Sequence, residues 1–409
     1  MRVVLLALLA GCARPTALPA DVPAETPHDA TRQYTIWLGG ARVGTAVESE
    51  RWSRDGVHLH REEHLVFLRG DADVELATTI DIDADPALVA RKVRWSERNG
   101  RGERAAEAIR AQPGWHVSTG EQLAATAVPA ELVPLLVRRD GAFTGTVFLP
   151  ARGFVAGTGR IEPVAPGRLV ARLALDAGPL VEATIDLDRD GSPARVVDGG
   201  GVIAIRATES QAAESFPTVD LIAATAVAIT GTRHGARIRL DGNLALPALP
   251  GQQARPVPAG VDVDLDPALT GELPPGPAYP DRSSEITALV AAVRQRITPD
   301  LGAARATSHD AAAATAGDCT TFALAYAALA SRRAIPTRVV TGLRVDGTRL
   351  IRHRWAVSWT GTRWIAIDAA FGAVPAGGNL IGLAVHDADD AGLVAGEAAL
   401  SQVRSATWD

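Results

Sequence analysis

The chain has 409 residues, 47% apolar and 22% charged, with a formal net charge of −6. That length and apolar content suffice for two or three packed domains, and the basic residues, almost all arginine, are too scattered to form a nucleic-acid face. Two cysteines, Cys12 and Cys319, allow at most one disulfide, so the fold must stand on its own core rather than on a disulfide framework.

In chain order, Met1-Arg2 precedes an apolar run from Val3 to Leu9, and Leu9-Ala10-Gly11-Cys12 follows. This reads as a signal peptide over 1–11. The run is too short to span a bilayer. Leu9-Ala10-Gly11-Cys12 resembles a bacterial lipoprotein box. The resemblance implies lipidation of Cys12 and export to the bacterial cell envelope with a membrane anchor, in the inner or the outer membrane. Residues 12–31, rich in Pro, Ala and Thr, read as a tether between anchor and fold.

From 32 to 215 the pattern is that of an antiparallel β-rich domain. Strands are predicted at 34–38, 42–51, 57–68, 74–82, 88–95, 168–175, 181–187 and 201–207, with one helix at 129–138. Successive hairpins of this kind suggest a large curved sheet or half-barrel. A small β segment follows at 216–270, with strands at 235–240 and 261–265. Gly271-Glu272-Leu273-Pro274-Pro275-Gly276-Pro277 opens a linker over 271–282.

The last unit, 283–409, opens with Ser283 or Ser284 as helix cap and an apolar stripe of Ile286, Leu289, Val290, Val293 and Ile297. Gly317-Asp318-Cys319 then begins a second apolar helix. A thiol attacks a carbonyl as thiolate, and a helix N-terminus favours that anion. Ala334-Ile335-Pro336 ends the helix. Strands are predicted at 337–345 and 350–359, joined by Asp346-Gly347, and at 363–368. They carry His353 and Asp368. Neighbouring strands lie about 4.8 Å apart, so the two can meet if the register aligns them. His353 would then take the Cys319 proton, with Asp368 orienting the imidazole. Asp318, a carboxylate beside the thiol, would oppose its ionisation unless turned away.

The motifs Gly317-Asp318-Cys319, Ala334-Ile335-Pro336-Thr337-Arg338, His353-Arg354-Trp355 and Trp364-Ile365-Ala366-Ile367-Asp368 together resemble the transglutaminase-like superfamily of papain-type thiol enzymes. The resemblance runs from about 283 to about 390. It implies an α+β class overall: β-rich N-terminal parts followed by a papain-type α+β domain. It also implies Cys319, His353 and Asp368 as catalytic residues, with no cofactor or metal. Three positions depart from the family pattern: Arg354 for a small residue, Ala369 for a proline, and Ala334 for a turn glycine. Arg354 could narrow the cleft or, if turned inward, favour acidic substrates. The Cys319 backbone N–H is the one oxyanion donor assigned; a side-chain donor has no evident position.

Three other patterns carry less. Asp186-Leu187-Asp188-Arg189-Asp190-Gly191 opens like a calcium loop, but its twelfth position is Val197 rather than glutamate, and a hairpin turn is the better reading. His58, His60, Glu62 and His64 share one strand face, where two could reach a zinc ion but not all four. Gly199-Gly200-Gly201 lacks the lysine and helix of a phosphate loop. The expectation is therefore an envelope-anchored thiol enzyme acting on amide bonds of a protein or peptide through an acyl-enzyme. Hydrolysis is preferred over transamidation because water is always present. The alternative is a non-catalytic envelope scaffold or ligand-binding lipoprotein with a degenerate C-terminal domain.

Overall fold

The computed structural model describes residues 28–100, 102–175, 180–303, 308 and 314–409. The signal peptide, Cys12 and nearly all of the tether lie outside the described residues. The chain forms two units that meet in sequence near Ala224–Thr225.

The first unit is one fifteen-stranded sheet that winds outward from its middle. Ala30–Leu38 pairs with Ala41–Ser53 on one side and Val202–Ala207 on the other. From there each strand pairs with the next in sequence, antiparallel throughout except where Val128–Pro129 lies along Phe143–Leu149. The long Gly56–Arg69 and Ala72–Ala84 strands show why the sheet curls. Val57, Leu59, Ile80 and Ile82 are buried on one face. On the other, His58 and His60 meet Asp83 and Asp81 across the strands at 2.8 and 2.9 Å. This period-two alternation commits one face to a core. Near one end Trp115 contacts Phe148, from near the other end, edge-on at 5.2 Å. The extremities therefore share a single core. Leu132, Leu135 and Leu136, from the Ala130–Leu132 turn and the Val133–Asp140 helix, pack into it. Inside, Glu50 is buried with Arg32 and Arg138, the latter at 2.6 Å.

The second unit has a nine-stranded sheet. Its order runs Gln252–Val257, Gly260–Leu265, Arg237–Gly242, Val403–Trp408, Val227–Thr230, Arg349–Trp359, Thr337–Asp346, Leu380–His386, with Trp364–Ile367 also on Arg349–Trp359. The small β segment expected at 216–270 is thus not separate: Leu240 pairs with Ala406, and its strands continue the C-terminal sheet. Four short strands bury too little alone, and the Val403–Trp408 strand completes their core. The expected linker is also fastened. Trp359 and Trp364 donate their indole N–H groups to the carbonyls of Pro277 and Pro274, each at 2.8 Å, and Tyr279 donates its hydroxyl to the Trp359 carbonyl.

The helices Ser283–Arg296 and Cys319–Arg332 pack on this sheet through Ile286, Val290, Val293, Phe322 and Tyr326. The first begins at Ser283 itself; Asp281 accepts from the Ser283 N–H, so neither serine acts as the expected cap. Overall the chain is 51% strand and 18% helix. The expected α+β class is corrected to β-rich. The 283–409 unit, expected to supply the helices, contributes five strands to the nine-stranded sheet. The strands Gly102–Arg110, Val155–Ala165, Leu380–His386 and Val403–Trp408 have weak patterns and escaped notice.

Burial pushes the Glu50 carboxyl up, but hydrogen bonds and charge from Arg138 and Arg32 outweigh it and hold the group below the usual range. Its contribution to stability is present above the unfolded pKa and is lost as pH falls through the folded one. Glu50→Gln leaves Arg32 buried without its counter-charge, and chemical denaturation should show a loss of about 3–5 kcal/mol at pH 7, shrinking in acid. At the end of the cysteine helix, Ala334 sits at φ +52°, with its N–H and that of Ile335 closing the last turn. A Cβ in this left-handed region costs about 1–2 kcal/mol, partly offset by glycine's unfolded-state entropy. Ala334→Gly should therefore raise stability by up to about 1 kcal/mol, measurable as a higher melting temperature.

Candidate active site

The Cys319–Arg332 helix is capped by Asp318, whose Oδ1 accepts from the Thr320 and Thr321 N–H groups at 3.0 and 3.3 Å. Such a cap stabilises a helix by about 1 kcal/mol. Gly317 precedes it because a Cβ there would collide with the Thr321 side chain. The Cys319 N–H, one residue before the capped amides, has no acceptor among the described residues. Tyr326 and Thr337 both hydrogen bond to Ser358 Oγ, at 2.9 and 2.7 Å, which ties the helix to the sheet.

The Arg349–Trp359 strand pairs along its whole length with Thr337–Asp346. On its other edge it pairs only at its ends, Arg349 and Leu350 with Ala228 and Val227, and Ala356–Trp359 with Trp364–Ile367. The stretch 351–355 is left open, and the cysteine helix meets the strand there. The Arg354 backbone N–H donates to the Cys319 sulfur. His353, one residue earlier, hydrogen bonds to the same sulfur. Its Nε2 lies 2.8 Å from Asp368 Oδ2, which leaves Nδ1 to face the thiol.

Asp368 lies just past the Trp364–Ile367 strand, where the register brings it opposite Trp355 and diagonal to His353 on the same face. Its backbone pairs with Ala373, and its Oδ1 accepts from the Phe371 N–H at 3.3 Å. Both oxygens are thus engaged. Trp355 stacks on the imidazole at 6.0 Å and Phe371 meets it edge-on at 5.6 Å. Gly342, directly opposite His353, leaves room for the Trp355 ring, which a Cβ would strike. His353 and Asp368 are buried, and Cys319 is partly buried.

Burial and the Asp318 carboxylate push the Cys319 thiol up. The charge and hydrogen bond of His353, with the Arg354 N–H, outweigh them and hold it below the ordinary thiol value. Burial pushes His353 down, but the Cys319 sulfur and Asp368 carry it up to about 10. The two shifts, opposite in sign, favour the thiolate–imidazolium form of the pair. Asp318 keeps some of its opposing effect, because capping turns its oxygen to the helix amides and does not move it away from the sulfur.

Arg354 does not enter the cleft. Alternation along the strand turns it to the opposite face from His353. There its guanidinium is buried against Thr341, Thr320 and the Leu393 carbonyl at 3.0–3.3 Å, with Glu397 at 3.4 Å. Neither the narrowing nor the acidic preference considered for an inward arginine is realised. Trp355 was visible in the sequence as part of a motif. Phe371 carried no signal, because its position depends on the turn after Asp368.

The other patterns lie elsewhere. Asp188–Ser192 forms the hairpin turn between Val181–Leu187 and Pro193–Val197. Asp198 folds the Gly199–Gly201 turn by accepting from the Gly200 and Val202 N–H groups. His64 pairs with Glu75 as His58 and His60 pair with their aspartates, and no group of three metal-ligating side chains gathers among the described residues.

No curated protein matches the sequence. Three solved structures are similar in part. A DUF1089 family protein from Pseudomonas aeruginosa is 14% identical over 46% of this chain and 95% of its own, with a TM-score of 0.27. A β-barrel-like DUF1849 protein from Brucella abortus is 11% identical over 44% and 95%, with a TM-score of 0.34. A candidate cysteine protease from Cytophaga hutchinsonii is 13% identical over 41% and 80%, with a TM-score of 0.25. Likenesses at this level do not transfer a chemistry. The family model of the transglutaminase-like superfamily matches residues 276–369, the span that runs from the fastened linker through Cys319 and His353 to Asp368.

Proposed function

We propose that the protein is a thiol enzyme that cleaves amide bonds of a protein or peptide in the bacterial envelope. The observation that carries this is the Cys319–His353–Asp368 arrangement, with His353 hydrogen bonded to the sulfur and to Asp368. The Cys319 thiolate attacks the carbonyl carbon, and the Cys319 N–H receives the oxyanion at the helix N-terminus. The His353 imidazolium gives its proton to the departing amine as the carbon–nitrogen bond breaks, leaving a thioester. Water then attacks the thioester, His353 takes its proton, and the acid leaves as the thiolate–imidazolium pair is restored. Asp368 holds the ring in place throughout. An amine could take the place of water. Hydrolysis is preferred because water is always present. The Leu9-Ala10-Gly11-Cys12 segment, which resembles a lipoprotein box, supports anchoring by a lipid on Cys12.

The pH midpoint for alkylation of Cys319 by iodoacetamide should lie below that of a free thiol, about 8.5, and His353→Ala should move it up to that value or higher. A wild-type midpoint already at that value would end the enzyme reading and leave a scaffold. Amide cleavage should fall in acid as the thiolate is protonated and fall again through about pH 10 as His353 loses its proton, whereas alkylation should not show the second fall. Cys319→Ala should reduce cleavage about 10³-fold or more, and mass spectrometry of envelope extract incubated with the protein should find an acyl adduct on Cys319 alone. For the anchor, cells fed labelled palmitate should label the wild type and not Cys12→Ser; equal labelling of both would remove the lipid proposal.

A further inference from the structure

The curled sheet of the first unit encloses a cavity of about 80 Å³ that the thiol chemistry does not use. Its walls are apolar, formed by Ile80, Val147, Ile161 and Ile185 among others, and its polar end carries Glu48, Glu63 and Glu131 with Arg61 as the cation among them. Arg61 is already committed. It contacts Glu63 at 3.1 Å and Glu48 at 3.5 Å. Glu131 stands apart, because its Oε2 is buried and has no hydrogen-bond partner among the described residues. A buried carboxylate oxygen left unpaired is costly, typically 1–3 kcal/mol or more, and here it borders empty space.

We propose that this cavity binds a small cationic amphiphile, a primary amine on a short alkyl chain, with the ammonium on Glu131 and the chain along the apolar wall. Charge decides the sign of the ligand: Glu48 pairs with Arg61 and Arg32, and Glu63 with Arg61, whereas Glu131 has no ion pair among the described residues, so a cation completes a pair there and an anion meets a like charge. Volume sets its size. One water needs about 10–15 Å³ of such space, so the cavity holds roughly six waters' worth, or a molecule of fewer than about ten heavy atoms. Water alone would satisfy Glu131 and leave the isoleucine and valine wall wetted. Burial carries the Glu131 carboxyl up to about 7, with Glu48 and Glu63 adding to the effect, and an ammonium would draw it back to the ionised form.

The test is calorimetric titration of the full chain at neutral pH with hexylammonium, 1-hexanol and hexanoate. Hexylammonium should bind one-to-one with a Kd below about 1 mM. It should bind about tenfold to a hundredfold more tightly than hexanol, the increment of a charge-assisted hydrogen bond. Glu131→Gln should erase that advantage while leaving hexanol binding unchanged, and should raise the melting temperature of the unliganded protein by removing a buried unpaired charge. Ile161→Trp, which fills the cavity, should abolish both ligands' binding with the fold retained by circular dichroism. Equal affinity for amine and alcohol, preference for hexanoate, no binding of any ligand, or an unaffected Glu131→Gln would each overturn the proposal. Cys319→Ala serves as the control and should bind hexylammonium as the wild type does.

Discussion

The second unit turns on a gap in one sheet edge. The Arg349–Trp359 strand has a partner along one side and, on the other, only at its two ends. Over 351–355 its outward backbone groups would be left without partners, which a buried strand does not tolerate. The cysteine helix meets that need at the sulfur, which accepts the Arg354 N–H. The same approach sets the chemistry. A strand turns alternate side chains to opposite faces, so placing the sulfur on the Arg354 backbone places it beside His353. Stability and reactivity share one contact.

Around that contact the electrostatics pull in two directions. Asp318 caps the helix and thereby fixes where Cys319 sits, yet its charge resists the thiolate. The imidazolium wins because it both touches the sulfur and is itself held by Asp368, whose other oxygen is occupied by the Phe371 N–H. Trp355 and Phe371 close two sides of the ring. A histidine enclosed in this way cannot swing away, so its proton is delivered along one line. Arg354 adds support from beneath. Its guanidinium joins the cysteine helix through Thr320 to the Asp390–Leu400 helix through Leu393 and Glu397, so the arginine that looked foreign to the cleft braces the cleft's floor.

The first unit follows a different logic. Nearly all of its pairing is between strands adjacent in sequence, so its sheet is built from local hairpins and curls as each adds twist. The curl gives it an interior, and the interior receives charge: Glu50 between Arg32 and Arg138, and Arg61 between Glu48 and Glu63. Such groups are retained at a cost to stability. The Arg61, Glu48 and Glu63 group lies at one end of an apolar cavity and gives it a polar end and a greasy wall.

Much of this was legible beforehand. The alternation of Val57 to Phe67 and of Ile80 to Ala84 reveals strands, and a stripe at 286, 289, 290 and 293 reveals a helix, because periodicity is a local property that survives into the fold. Gly317-Asp318-Cys319 with His353 and Asp368 was legible for the same reason, since a cap, a helix start and two strand positions are each written in a few consecutive residues. What sequence alone could not decide is everything set by partners far along the chain. Arg237–Gly242 joins Val403–Trp408 across some 160 residues, so a segment that reads as independent becomes one wing of another sheet. The faces chosen by Arg354 and Phe371, and the unpaired oxygen of Glu131, depend on which elements come to lie against them. Short-range pattern specifies which residues form a strand or helix; burial and pairing, which are collective, specify what each side chain finally meets.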